Sequence, residues 1–236
     1  MTLPLSLVVI TQDAAEQLPA CLESVDFAAE ILVVDSGSRD HTLEIAAAAG
    51  ARVIRQAWLG YGPQKHFAVT QARHDWVLCL DADERLSPLL REAIRNELAG
   101  SPRFHAYRFP RCNRFLGRWL RHGEGYPDHQ LRLFHREHGQ WRQDPIHEGV
   151  DVRGPVGTLT GDLLHESAQT LESYLDKQNR YTTLQARHMI AQGHRPGVLR
   201  VVFSPLVRFI KFYCLRWGFL DGLPGLIHIA IGCFNS

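Results

Sequence analysis

Three short runs of almost uninterrupted apolar residues, LSLVVI at 5–10, ILVVD at 31–35 and WVLCL at 76–80, constrain the fold more than any other feature. Each is too short for a buried helix and too uniformly apolar for a strand with one wet face. Each therefore predicts a strand covered on both sides. Helical patterns lie between them. AAEQLPACLESV (14–25) sets Leu18, Cys21, Leu22 and Val25 at helical spacing, TLEIAAAA leads to a stop at Gly50, and GPQKHFAVTQA (62–72) predicts a third helix. ARVIRQ (51–56) reads as one more short strand. Ser87 caps a helix with Pro88 at its first position, running to about Ala99 before Gly100-Ser101-Pro102. Alternation of this kind implies a largely parallel sheet with helices on both faces, a three-layer α/β/α core. With 236 residues, 45% of them hydrophobic, the chain can build one sizeable domain, or one domain plus an extension.

In such sheets ligands sit beyond the carboxyl ends of the strands. Two of the runs end there in aspartate: Asp35 before Ser-Gly-Ser, and Asp81 at the head of Asp-Ala-Asp-Glu. On an extended chain Asp81 and Asp83 share a face, and two hard oxygen ligands suit Mg²⁺ or Mn²⁺ held together with a substrate's phosphates. For an isolated D-x-D the plainer alternative is an acidic cap on the next helix, and Glu84 reads as a cap or a supporting group. Asp35 is either an acceptor for a base or ribose, or the head of an Asx turn that ends the strand. Asp40 turns back to cap the following helix.

From 103 to about 165 the pattern shifts to shorter β-like pieces, FHAYRFP, HQLRLFHR and GTLTGDLLH. Residues 170–192 carry Leu171, Tyr174, Leu175, Tyr181, Leu184 and Met189 on a helical stripe that Gly193 stops. Net charge is +1, which does not argue for a nucleic-acid binder. Charge is nevertheless uneven: from Arg187 to Ser236 there are six basic residues and a single acid, Asp221. Between those charges, VLRVVFSPLVRFIKFYCLRWGFL and LPGLIHIAIGCF are broken by Arg, Pro and Asp before reaching the roughly 20 apolar residues that span a bilayer. The segment is expected to lie in the membrane interface with its basic groups toward anionic headgroups, or else to pack as core helices or an oligomer contact. The five cysteines are odd in number and include no C-x-x-C pair, so they form neither a disulfide framework nor a zinc ribbon, and a reducing cytosolic setting is expected. MTLPLSLVVIT has no basic region ahead of its apolar run and reads as a first strand, not a signal peptide.

Taken in order, LSLVVIT, CLESV, EILVVDSGSRDHT, WLGYGPQKHFA and WVLCLDADE, followed by YPDHQLRLF, IHEGV, LLHES and GFLDGLPGL, make a set that covers nearly the whole chain. As a set it resembles a family-two inverting glycosyltransferase with the GT-A fold, and more closely the lipopolysaccharide-core glucosyltransferase branch. His66, where Asn follows "QK" in the family, and Arg39, where a small hydroxyl is usual, depart from the pattern. The resemblance implies an α/β GT-A domain over 1–168 and a C-terminal helical, membrane-associating extension over 169–236. It implies a nucleotide-sugar donor, UDP-glucose, with uracil and ribose near Asp35 and Ser36, Lys65 near the donor, and Asp81 on the donor sugar or ribose. A divalent metal, Mg or Mn, would sit on Asp83; His165 is either a further ligand from a later segment or a hydrogen-bonded core residue. The reaction is then a single in-line displacement at the anomeric carbon. Its general base is Asp128 or Glu148, with His147 orienting either one, unless those carboxylates merely pair with Arg132 or Arg142. The implied acceptor is a lipid-linked oligosaccharide such as the lipopolysaccharide inner core, met on the cytoplasmic face of the inner membrane. Two alternatives remain: a polyprenyl-phosphate acceptor, which supplies its own nucleophilic oxygen, and a non-catalytic nucleotide-sugar or membrane-binding protein on the same fold.

Overall fold

The computed structural model describes residues 2–143, 149–168, 171–191, 193 and 197–235. His147, Glu148 and Arg195 lie outside them. The contacts divide the chain into two units, one of residues 1–111 with 129–164, the other of residues 112–128 with 165–236. The second unit thus gathers a mid-chain segment together with the C-terminal helices.

The first hundred residues alternate as the pattern predicts: β1 (Leu3–Thr11), α1 (Leu18–Glu23), β2 (Ala28–Asp35), α2 (Thr42–Ala48), β3 (Arg52–Arg55), α3 (Tyr61–Thr70) and β4 (Trp76–Asp81). A three-residue β5 (Glu84–Leu86) precedes α4 (Pro88–Ala99), whose first turn is capped by Ser87 Oγ accepting from Leu90 N. The later strands are β6 (Ala106–Phe115), β7 (Arg118–Trp119), β8 (Asp128–His135), β9 (Gly139–Trp141), β10 (Val150–Val152), β11 (Val156–Thr158) and β12 (Leu163–Ala168). The main sheet runs in the order β3-β2-β1-β4-β8-β6-β12-β5, while β9 and β10 form a separate hairpin. β1 to β4 are mutually parallel, and β8 joins β4 antiparallel.

Strand alternation explains why both faces are covered. Leu5, Leu7, Val9, Val33, Leu78 and Leu80 pack on one face with Leu18, Cys21 and Leu22 of α1 and Leu90 and Ile94 of α4. Their neighbours Val8, Leu32, Val34, Val77 and Cys79 point the other way, onto Ala68 and Val69 of α3, Phe134 and Trp141. This is the three-layer arrangement expected from the uninterrupted apolar runs. One buried polar cluster ties the outer strands: Glu30 accepts from Ser6 Oγ at 2.6 Å, Arg73 N at 2.7 Å and Arg52 Nη2 at 2.7 Å.

In the second unit the helical stripe becomes α5 (Leu171–Ala191). The C-terminal segment folds as α6 (Val198–Phe209), a π-helical stretch over Ile210–Leu215, a 3-10 turn over Gly218–Asp221, and α7 (Gly222–Phe234). Asp221 is not a surface acid. It is buried, and its carboxylate accepts from Arg121 N (3.0 Å) and His122 N (2.8 Å) and contacts His122 Nδ1 (3.0 Å). Arg208 ion-pairs with Glu124, so one of the six basic residues of this segment is already neutralised.

Candidate donor-binding site

Strand register brings the two strand-end carboxylates to one edge. β1 pairs Thr11 with Asp35 on β2 and Ile10 with Asp81 on β4, so the aspartates lie at the carboxyl ends of the two strands flanking β1. The cleft beyond these ends is where ligands of open α/β sheets bind.

The two aspartates are used differently. Asp35 is 1% exposed and fully engaged: Oδ2 accepts from Gly37 N (2.9 Å) and Ser38 N (3.0 Å), Oδ1 from Ser38 Oγ and, at 3.3 Å, from Thr11 Oγ1. Of the two readings open in the sequence, the structure builds the Asx turn. Gly37 sits at φ +100°, a conformation open to glycine and strained for most other residues, which lets the loop fold back over the carboxylate. Both Asp35 oxygens are thereby engaged within the chain, with the Ser36–Ser38 loop folded over them. Ser36 is fixed through its N–H to Thr11 O and through Oγ, which accepts from buried Gln64 Nε2 at 3.0 Å.

Asp81 is half-buried, and its oxygens are held from two sides by cations. Lys65 Nζ from α3 lies 2.8 Å from Oδ1, and Arg132 Nη2 from β8 lies 2.8 Å from Oδ2. The same Arg132 nitrogen reaches Glu84 Oε1 at 2.9 Å, Arg111 Nη1 adds a 3.4 Å contact, and Glu84 Oε2 accepts from Asp81 N at 3.1 Å. Glu84 is wholly buried. It therefore supports the loop from beneath, as the sequence reading allowed. The chain beyond Asp81 is not extended, however. Ala82 and Asp83 form a turn between β4 and β5, so the same-face argument from strand alternation does not hold. The turn forms because Glu84, three residues on, is drawn under the backbone of Asp81.

Burial alone would lower the Arg132 pKa, but the neighbouring Glu84 and Asp81 charges raise it above its ordinary value. The guanidinium is fixed as a cation. Both cations also lie over the buried Trp141 ring, Lys65 Nζ at 4.9 Å and the Arg132 guanidinium at 5.6 Å from its centroid. Beneath the turn, Cys21 Sγ donates to Asp81 O at 3.6 Å. Burial first, then the charges of Glu84, Asp83 and Asp81, push that thiol well above its ordinary value, so it stays a neutral donor.

The remaining candidates come from later segments of the chain. Asp128 is the first residue of β8, four positions before Arg132. Among the described residues, Arg132 and Arg142, considered as salt-bridge partners for Asp128 or Glu148, pair with Asp81 and Glu84 and with Asp151 (2.6 Å) respectively. His165 is buried in the second unit with Nδ1 2.7 Å from Asn113 Oδ1. Nε2 is then the ring nitrogen through which it would meet a metal. Arg132 as a site cation, Trp141 and Gln64 were not found as site residues from the sequence. Arg132 lies in an alternating strand and gives no local signal of the carboxylates it meets across the sheet.

Residues 6–153 match the sequence profile of the family described as Glycosyl transferase family 2. Over 98% of its length the chain is 34% identical to the lipopolysaccharide core biosynthesis glycosyltransferase LpsC of Rhizobium meliloti (strain 1021), covering 88% of that protein. It is 29% identical to an uncharacterized glycosyltransferase of Rickettsia bellii (strain RML369-C), covering 99% of this chain and 84% of the other. Among solved structures, glucosyl-3-phosphoglycerate synthase from Mycobacterium tuberculosis in complex with Mg²⁺ and uridine-diphosphate aligns over 78% of each chain, with a TM-score of 0.48 and 18% identity.

Proposed function

The chain belongs to glycosyl transferase family 2 and is a glycosyltransferase, and from that premise we propose that it moves glucose from UDP-glucose to a lipid-linked oligosaccharide such as the lipopolysaccharide inner core. The observation that carries the reading is the Asp81 carboxylate held between Lys65 and Arg132 at the end of β4, with Asp83 on the adjoining turn. A carboxylate oxygen has more than one lone pair, so Asp81 still accepts from a sugar or ribose hydroxyl while its orientation stays fixed. Lys65 and Arg132 offset the Asp81 and Glu84 charges, which lessens the repulsion a diphosphate would meet there.

The donor set suits a divalent ion. Asp83 offers one hard oxygen ligand, and Mg²⁺ commonly takes one or two carboxylates and completes its shell with substrate phosphates and water. Bound there, such an ion would offset the charge that develops on the leaving diphosphate. Asp81, committed to two cations, positions the donor and does not join the metal. Asp128 is proposed as the base that takes the acceptor hydroxyl proton, on the family resemblance of YPDHQLRLF, with Glu148 as the other candidate.

The acceptor and the place of work rest on two supports. The name of the Rhizobium relative specifies lipopolysaccharide core biosynthesis, and the C-terminal helices leave Val202, Phe203, Leu206, Val207, Leu223 and Phe234 exposed. Among the described residues no single helix is long and apolar enough to cross a membrane. The bent pair Val202–Leu215 and Gly218–Phe234, at 74°, meets length and composition together. At about 1.5 Å per residue, each arm falls short of the roughly 30 Å hydrocarbon core. A bent pair of that size suits a dip into one leaflet, on the cytoplasmic face of the inner membrane where the enzyme is proposed to act.

The test is a transfer assay of purified protein against a panel of nucleotide sugars, with truncated core lipopolysaccharides and a polyprenyl phosphate as acceptors. The reading expects UDP release and a hexose-extended core lipid that depend on added Mg²⁺ or Mn²⁺. Extension of the polyprenyl phosphate alone would replace the acceptor, and donor binding without transfer to any acceptor would leave a binding protein.

A further inference from the structure

A second cluster of ligating side chains stands at the turn between β8 and β9, apart from the residues given a role above. β8 ends at His135 and β9 begins at Gly139, and His138 N donates to His135 O at 2.9 Å to close the turn. One nitrogen each from His135 and His138 and one carboxylate oxygen from Glu137 lie within 4.8 Å of one another. Gly139, which follows the cluster, packs against the Phe134 ring, where a Cβ would come to 2.5 Å.

Three observations point to a ligand. His135 Nδ1 is buried and, among the described residues, has no hydrogen-bond partner, an arrangement that costs free energy unless a water or an ion completes it. Both rings are held in place: His138 stacks on His105 at 3.8 Å between centroids, and His135 stands edge-on to Trp76 at 5.6 Å. His105 is anchored in turn by a 2.8 Å contact between its Nδ1 and the Arg153 carbonyl. Finally, Arg136, which falls between the ligating residues in sequence, is drawn off to Asp75 Oδ1 at 3.1 Å and to the Ala72 carbonyl. Its charge is neutralised there and does not oppose a cation.

We propose that His135, Glu137 and His138 form a binding site for a borderline divalent cation, Zn²⁺ above all, distinct from the hard-ion position at Asp83. Two imidazoles and one carboxylate are a zinc donor set, with a fourth position left to water. Tetrahedral zinc at roughly 2.0–2.1 Å from each donor sets the donors about 3.4 Å apart. The exposed Glu137 side chain can swing in to close the remaining gap. The ion would clamp the end of β8 to the start of β9, and these strands carry Arg132 and Trp141 into the donor-binding site. Its role is structural, stiffening the strands behind that site.

The test uses full-length, untagged protein stripped with chelator and titrated with Zn²⁺ by calorimetry, with Co²⁺ as a spectroscopic probe and a thermal melt at each stage. One Zn²⁺ per chain is expected, with a rise in melting temperature and the visible absorption of tetrahedral Co²⁺. All three signals should survive Asp83→Ala and be lost in His138→Ala. Glu137→Gln, at an exposed position that leaves the fold intact, should weaken binding and shift the Co²⁺ spectrum. Absence of Zn²⁺ binding by the folded wild-type chain overturns the proposal, as does unchanged binding in both Glu137→Gln and His138→Ala. Because the readouts are binding and stability, they stand or fall independently of sugar transfer.

Discussion

The first unit hides charge and the second shows oil. Lys65, Glu84 and Arg132 are buried around Asp81, whereas Val202, Val207, Leu215, Trp217 and Leu223 stand mostly in solvent. Among the described residues, the second unit contributes only Cys112, Phe115, Leu120 and Ile229 to the fully buried hydrophobic set. Both arrangements cost stability in an isolated chain. A buried ion network is often no more stable than an apolar replacement, and exposed apolar area forgoes about 25 cal/mol per Å². Each is consistent with the proposed function, in which a charged donor is held in one unit and a lipid phase is met by the other.

The largest effect is expected at the base. Asp128→Asn should lower turnover by roughly 10²–10⁴-fold while calorimetry shows UDP-glucose affinity largely kept. Glu148→Gln is the paired control, and loss of turnover in that variant alone would reverse the two roles. Next is the metal position. Asp83→Ala should cut transfer by about a hundredfold or more, since leaving-group stabilisation is worth several kcal/mol. Full activity in excess chelator would remove the ion from the account.

A comparable effect, on membrane binding and not on chemistry, is expected in the second unit. Replacing Val202, Val207 and Leu223 together by Ser removes three exposed apolar side chains, each worth about 1.5–3 kcal/mol when fully buried. Co-sedimentation with anionic liposomes should fall by roughly a hundredfold or more, with the melting temperature unchanged. High salt should weaken wild-type binding as well. Persistence of liposome binding in the triple variant would assign these side chains to an oligomer contact.

The smallest effect concerns stability of the first unit. Burial raises the Glu30 pKa, but hydrogen bonds from Ser6, Arg73 N and Arg52 outweigh it and hold the carboxyl below its ordinary value. A carboxyl depressed in the folded state adds stability that is present above the unfolded pKa and lost as pH falls through the folded one. Glu30→Gln should cost about 1–3 kcal/mol at neutral pH and flatten the acid limb of unfolding. A denaturant titration between pH 7 and pH 3 measures both.

The same contrast separates what could be read from the sequence. Apolar runs of fixed length dictated β1, β2 and β4, because a strand covered on both faces has few other solutions, and Ser87-Pro88 fixed the start of α4 for local reasons. The D-x-D was visible, but its conformation was not. Asp83 lies on a turn because Glu84 is drawn under Asp81, a local competition that strand alternation ignores. Arg132 and Trp141 arrive at the site from sequence positions far beyond the D-x-D, through strand pairing and hairpin packing that no local pattern encodes. Pro205, which interrupts the apolar run in the sequence, lies inside α6, and the 74° bend falls between Leu215 and Gly218 instead. That Asp221 is spent on the backbone of Arg121 and His122 was not visible in the sequence.

In the proposed function, donor recognition belongs to the Lys65–Asp81–Arg132 network and access to the acceptor belongs to the exposed apolar helices. One experiment divides them: wild-type and the Val202/Val207/Leu223→Ser variant, compared for UDP-glucose affinity by calorimetry and for transfer to core lipopolysaccharide embedded in liposomes. Equal affinity is expected, with a transfer rate reduced in step with liposome binding. Equal transfer by both proteins, or a donor affinity that falls along with it, would contradict that division of labour.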